Sequence, residues 1–220
     1  IKTTVNELST KEKTAIRMGP FGSSLKKHEL VNSGIRVLWI ENIVNNKFEY
    51  KSGKFITKEK FQQLSGFRVK ANDILVTMMG TIGRTAIVPN DIGTAIISSH
   101  LLKISVEPSI CISKFLTIAL RGNPHVLKQL ERKASGVVMK GLNTKIIKNI
   151  ELSLPSLEEQ KEIISQIEQG FSLIDNTSQM IHSTLQKLQT MKISVLKQAF
   201  EGKLVPQDPN DEPASVLLEK

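Results

Sequence analysis

Apolar residues recur at Ile164, Ile167, Phe171, Ile174, Ile181, Leu185, Leu188, Val195 and Ala199, all on the a and d positions of one heptad register. Only Ser178 and Lys192 interrupt it. Side chains three and four apart share a helix face, and a seam sustained over this length is the pattern of a coiled coil. It predicts one helix from Leu157 to Phe200, about 66 Å long at the standard rise. Such a rod is too long to bury against a small domain, so its seam requires another helix. Both ends carry their own signals: Ser156 and Glu159 form a capping box, and Gly202 follows Phe200 where a helix stop is expected. The alternative is two amphipathic helices with a turn at Asp175-Asn-Thr-Ser178, a stretch of weak helix propensity. The single helix is favoured because the register survives that stretch and no Pro or Gly lies in it. Gly170 is a soft spot in either case.

The residues before this rod have a different texture. Val37-Leu-Trp-Ile-Glu-Asn-Ile43, Ile74-Leu-Val-Thr-Met-Met79, Thr85-Ala-Ile-Val88, Ala95-Ile-Ile97 and Leu101-Leu-Lys-Ile-Ser-Val106 are short runs bounded by Gly, Pro, Asn and Asp. These are strand signals. Ile112 to Arg121 and His125 to Lys133 have apolar residues three and four apart and predict helices. The expected fold class is α+β: a compact mixed α/β domain over residues 1–153, a long coiled-coil helix over 154–201, and a Pro-rich acidic tail over 202–220. The tail cannot hold regular structure for long, although Ala214 to Lys220 begins another helical pattern.

Charge divides the chain at the same place. Residues 1–150 hold 24 Lys and Arg against 10 Asp and Glu, whereas residues 151–220 hold 6 against 11. A basic domain favours polyanions, because each phosphate contact releases condensed counterions. The alternative is a Lys-rich domain with no such partner. No segment has the roughly 18 uninterrupted apolar residues of a membrane span, and Ile1 to Thr10 lacks the apolar block of a signal peptide. A cytoplasmic location is expected, with no membrane partner. The single cysteine, Cys111, excludes an internal disulfide and a multi-cysteine metal site; a small buried apolar role suits it.

Catalytic patterns are missing. The chain has no G-x-x-x-x-G-K-[ST], no G-x-G-x-x-G after a strand, no H-E-x-x-H and no N-P-P-[YF]. His28, His100, His125 and His182 are scattered, and neither Asp73 nor Glu41 belongs to an acidic pair. A basic domain without a nucleophile reads as a binder. Two other classes remain as alternatives: a self-contained DNA-modifying enzyme, and a coiled-coil scaffold with a non-specific basic domain.

Pro155-Ser-Leu-Glu-Glu-Gln-Lys-Glu-Ile-Ile164 resembles the L-P-x-x-x-E-Q-x-x-I junction of Type I restriction-modification specificity subunits, where a target recognition domain joins a long helix. Ala199-Phe-Glu-Gly-Lys-Leu-Val-Pro-Gln-Asp-Pro-Asn-Asp-Glu-Pro-Ala214 is similar to a segment of the same family almost residue for residue. The front matches in outline, through Gly19-Pro-Phe-Gly-Ser-Ser-Leu-Lys26, Asp73-Ile-Leu75 with Gly80 and Gly83, and Gly141-Leu-Asn143. Family members usually carry two recognition domains and two antiparallel helices in one chain; this sequence has one of each. As a half-length subunit it would pair as a homodimer, and as a fragment it would lack its other half. The sequence leaves both open.

The resemblance implies a non-catalytic chain that reads one half of a bipartite duplex. Methylation and cleavage would belong to partners: modification subunits, which carry S-adenosylmethionine, and a motor-nuclease restriction subunit. No cofactor and no metal are expected on this chain. The candidate DNA-binding residues are Arg17, Gly22, Ser23, Ser24, Lys26 and Lys27 in and beside one Gly-rich loop; Glu41 and Asn42 at a strand end; Thr81 and Arg84; Ser99 and His100; and Lys140 and Asn143. Lys and Arg would hold phosphates, while Glu41 and Asn42 suit cytosine and adenine edges. The seam residues Ile164, Ile167, Phe171, Ile174, Ile181, Leu185, Leu188 and Val195 are the expected dimer contacts. Gly202, Leu204, Pro206, Asp208 and Pro209 are expected to dock the modification subunits. The rod would be a ruler, its length matching about two turns of B-DNA at ~34 Å each.

Overall fold

The computed structural model describes residues 1–51, 53–79, 83–134, 143–206, 208, 210, 212 and 214–219. The strands in chain order are β1 (Lys2–Thr4), β2 (Ile16–Met18), β3 (Ile35–Leu38), β4 (Ile43–Val44), β5 (Lys47–Phe48), β6 (Lys54–Ile56), β7 (Arg68–Val69), β8 (Ile74–Thr77), β9 (Thr85–Ile87), β10 (Ala95–Ile97), β11 (Leu101–Ile104) and β12 (Glu151–Ser153). The α-helices are α1 (Lys58–Gln63), α2 (Ser113–Gly122), α3 (Pro124–Ala134), α4 (Thr144–Lys148), α5 (Leu157–Phe200) and α6 (Ala214–Leu218). The chain separates into two compact units, Ile1–Ser165 and Gln166–Lys220.

Two four-stranded sheets organise the first unit. One has the order β6-β3-β10-β7, with β3 and β10 parallel; the other, β2-β11-β8-β9, is antiparallel throughout. In β8, Ile74 and Val76 pack with α2, α3 and α4 through Phe115, Leu116, Leu120, Val126, Ile146 and Ile147. Leu75, pointing the other way, packs with Leu38, Val69 and Ile97 of the facing sheet and with Leu101 of its own. A strand covered on both faces needs no polar alternation, which is why this segment reads as an unbroken apolar run. The outer face of the first sheet packs Val37, Ile56 and Ile96 against Leu64, Phe61, Leu25 and Leu30. The layers run α2–α4, sheet, sheet, α1.

The predicted strand at Val37 to Ile43 is shorter and breaks in the middle. Strand β3 ends at Leu38, and Ile40–Asn42 forms a 3-10 turn before β4. The cause is Asn42, whose amide oxygen accepts the Trp39 N–H at 2.9 Å and closes the turn. Glu41 and Asn42 therefore lie in a helical turn, not at a strand end. Strands β1 and β12 were invisible to periodicity; they pair antiparallel and bring Lys2–Thr4 beside Glu151–Ser153.

Helix α5 is continuous over 44 residues. Its capping box forms as predicted: Ser156 N–H donates to Glu159 Oε2 at 2.8 Å, and Glu159 N–H donates to Ser156 Oγ at 3.2 Å. At the other end Gly202 has φ +67°. Gly202 N–H reaches the Ala199 carbonyl at 3.1 Å, and Lys203 N–H reaches the Gln198 carbonyl at 2.8 Å. This pair of bonds is a Schellman stop, for which a glycine in the left-handed region is suited. The first compact unit includes the first turns of α5, because Ile164 packs on the core of that unit.

Candidate nucleic-acid interface

Four segments singled out in the sequence converge on one rim of the paired sheets. Ser98 N–H, just past β10, donates to the Leu38 carbonyl at the end of β3, at 2.8 Å. Gly19 N–H, just past β2, donates to the Leu101 carbonyl at 3.0 Å, and Met78 N–H, just past β8, donates to the His100 carbonyl at 2.9 Å. The loop after β2, the turn after β3, the β8–β9 connection and the β10–β11 turn are thereby tied together. The approach is close enough to require glycine: a Cβ on Gly19 would stand 2.0 Å from the Ser98 carbonyl oxygen.

Gly22, Ser23 and Ser24 form an exposed 3-10 turn, and Lys26 and Lys27 are exposed beside it. The turn is anchored. Glu29 accepts the Lys26 N–H at 2.6 Å and pairs with Lys60 of α1 at 2.6 Å. The Lys26 N–H and then Lys60 hold the Glu29 carboxyl below the usual carboxylate range. Two lysines thus project from a fixed backbone. Arg84 is exposed in the β8–β9 connection, where its N–H donates to Thr77 Oγ1 at 3.0 Å. Arg17 is half-buried, with its guanidinium 4.0 Å from the Phe67 ring centroid. Ser99 and His100 are half-buried at the β10–β11 turn.

Trp39 and Lys54 belong to the same rim and were not among the predicted residues. The Trp39 ring lies 5.6 Å from that of His100, and Lys54 Nζ sits 4.1 Å from the Trp39 centroid. Their signal was available in the sequence, since the only tryptophan directly follows β3, but only strand pairing brings Lys54 across to it.

Two candidates have other duties. Asn42 is 5% exposed, and besides capping the Trp39 turn its Nδ2 donates to the Glu49 carbonyl at 2.9 Å. Both ends of the amide are spent inside the protein, which corrects its reading as a base-edge contact. Asn143 is exposed, but its side chain accepts the Ile146 N–H at 2.9 Å and caps α4. Glu41 is exposed. Thr81 and Lys140 lie outside the described residues, as does Pro209.

Along α5, Ile164 and Ile167 are half-buried. Phe171, Ile174, Ile181, Leu185, Leu188 and Val195 are 42% to 58% exposed. A row of large apolar side chains this open to water makes this face a candidate association surface. In the tail, Gly202, Leu204, Pro206 and Asp208 are exposed. Asp208 Oδ1 accepts the Asn210 N–H at 2.9 Å, forming a local turn.

The interior holds a charged pair. Lys103 on β11 is 2% exposed, donates to the Arg68 carbonyl at 2.6 Å and lies 3.9 Å from Asp73 Oδ2. Burial pushes the Asp73 carboxyl up and the Lys103 ammonium down, each partly offset by the other's charge. Burial likewise pushes the Cys111 thiol up to about 11, so it is no nucleophile at neutral pH. Among the described residues no group of three or more His, Cys, Asp and Glu is arranged to hold a metal ion, and no helix is long and apolar enough to cross a membrane.

Residues 21–189 match the family model of the Type I restriction modification DNA specificity domain. The chain is 33% identical over 198 residues to the EcoBI specificity subunit of Escherichia coli, covering 86% of this chain and 41% of that protein. It is 22% identical over 186 residues to the MjaVIII specificity subunit of Methanocaldococcus jannaschii, covering 83% and 43%. Among solved structures, the fold matches the HsdS subunit from Thermoanaerobacter tengcongensis with a TM-score of 0.63 at 17% identity, over 93% of this chain and 45% of that one. It also matches a chain from work on complex assembly and conformational transition of the type I R-M system, with a TM-score of 0.68 at 17% identity, over 93% and 46%. The chain therefore spans less than half the length of these relatives. The family match covers most of the sequence, the helix junction included: the chain belongs to the Type I restriction-modification DNA specificity family.

Proposed function

We propose that this chain reads one half of a bipartite duplex DNA target and presents it to modification and restriction subunits, without a catalytic centre of its own. The convergence of four loops on one rim carries the reading. It ties the loop that carries Ser23, Ser24, Lys26 and Lys27 to the turns that carry Glu41, Arg84, Ser99 and His100, in a domain that is basic as a whole. Cations supply sequence-independent phosphate grip, and the polar groups between them supply base contacts. The apolar seam of α5 pairs with a second such helix, in a homodimer or in the other half of a longer chain. S-adenosylmethionine belongs to the modification subunit, and the Gly202–Asp208 segment docks that subunit. The work takes place in the cytoplasm, where the cell's DNA lies.

Selection from a random duplex library at rising salt tests the reading. A sequence reader recovers one consensus that survives as salt rises, because base contacts lose less to counterions than phosphate contacts do. Recovery of no consensus, with all duplexes released together, would leave only a basic domain. Lys26→Ala should weaken all duplexes by a similar factor and lower the slope of log affinity against log salt by about 1, as for the loss of a single phosphate contact.

A further inference from the structure

Gln160 is the sole residue of α5 that is buried among those described, at 0% exposure. It sits in the first turn and makes three hydrogen bonds. Its amide nitrogen, Nε2, donates to the Ile110 carbonyl and to the Pro155 carbonyl, both at 3.1 Å. Its Oε1 accepts the Ile112 N–H at 2.8 Å. Ile110 and Ile112 belong to the segment that leads from β11 into α2, and Pro155 to the linker from β12 into α5. One amide thus ties the start of the long helix to the connection between the sheets and the helical layer, and every polar atom of that amide is used on backbone.

A capping box already engages the Ser156 and Glu159 N–H groups at this helix start, so the cap does not require the Gln160 side chain. What the three bonds add is orientation. Resting on the reading of α5 as a ruler, we propose that Gln160 is a positioning residue that holds the first turn of the helix in one orientation on the recognition domain, and so sets the spacer length selected in a bipartite target. The lever is long: over about 66 Å a swing of about 10° displaces the far end by about 11 Å, or roughly three base pairs at ~3.4 Å each. A bond set confined to one turn is therefore sufficient to choose among spacers.

The test uses the full chain and duplexes carrying the consensus half-sites recovered from the random library, with the spacer varied one base pair at a time. Wild type is expected to prefer one spacer. Gln160→Ala, and Gln160→Met as a variant that keeps the volume, are expected to keep the half-site sequence but flatten the spacer preference at least several-fold. Glu159→Ala, which weakens the cap and leaves the clamp intact, is expected to lower thermal stability and retain the wild-type spacer. An unchanged spacer profile in a folded Gln160 variant overturns the proposal, and so does equal flattening by Glu159→Ala. If wild type itself recovers no consensus, the reading of the chain as a DNA reader fails instead.

Discussion

Gly19 and Lys103 show how single positions hold the rim and the sheets in place. With the Ser98 carbonyl oxygen 2.0 Å from where a Cβ would stand, and backbone as the obstacle, a side chain at Gly19 has nowhere to go. Gly19→Ala should cost about 1–3 kcal/mol, the range for forcing extra volume into packed structure, and should weaken duplex binding beyond that of Lys26→Ala, since it separates two rim loops. Chemical denaturation together with duplex titration checks both; binding at wild-type strength would show that the rim tolerates the displacement. Lys103→Met strands the Asp73 carboxylate in the interior and should destabilise by about 3–5 kcal/mol, as breaking a buried pair does. Burial already raises Asp73 in the folded protein, and loss of the ammonium raises it further. A carboxyl whose folded pKa lies above its unfolded value contributes stability that is full below the unfolded value and lost as pH rises through the folded one. The deficit of the variant should therefore shrink as pH is lowered from about 7 towards the usual carboxylate range near ~4, and Asp73→Asn added to it should recover stability at neutral pH. A deficit independent of pH would refute this account of the pair.

Elements were legible in proportion to how local their causes are. The long helix could be read from its seam and from Ser156, Glu159 and Gly202, because periodicity, cap and stop all act within a few residues. Strands β8, β10 and β11 were legible as short apolar runs, being covered on both faces. Strands β1 and β12 were not, since three-residue strands such as Lys2-Thr-Thr4 owe their existence to a partner nearly 150 residues away in sequence. The break after Leu38 came from one side chain, Asn42, capping its own turn. Of the candidate site, the loops were visible but their shared rim was not, because strand register alone brings Gly19, Met78 and Ser98 together. Gln160 stood inside a recognised motif with no chemical role attached, as its three partners are backbone atoms that carry no sequence signal. For the helix itself, Leu185→Asp places a charge on the exposed seam, at a residue that does not belong to the first compact unit. It should reduce self-association by at least tenfold by light scattering, with the circular dichroism of the sheets intact; an unchanged mass would mean that the seam is not the pairing surface.

At the scale of the whole molecule, charge and shape divide the labour. The basic residues concentrate in the globular part, whose front 150 residues carry 24 cations against 10 acids. The helical part is net acidic and offers apolar side chains instead. Under the proposed function, such a chain would grip a polyanion at one place and a protein at another. The proposed pairing of the helix would give that grip a distance: two readers joined through rods about 66 Å long should protect two separate stretches of DNA. Hydroxyl-radical footprinting of the full chain on its selected duplex measures this directly. The account predicts two protected segments on one duplex, centred roughly two helical turns apart at ~34 Å per turn, with an unprotected stretch between them and the same separation on every target of equal affinity. A single uninterrupted footprint, or two whose separation wanders from target to target, would contradict it.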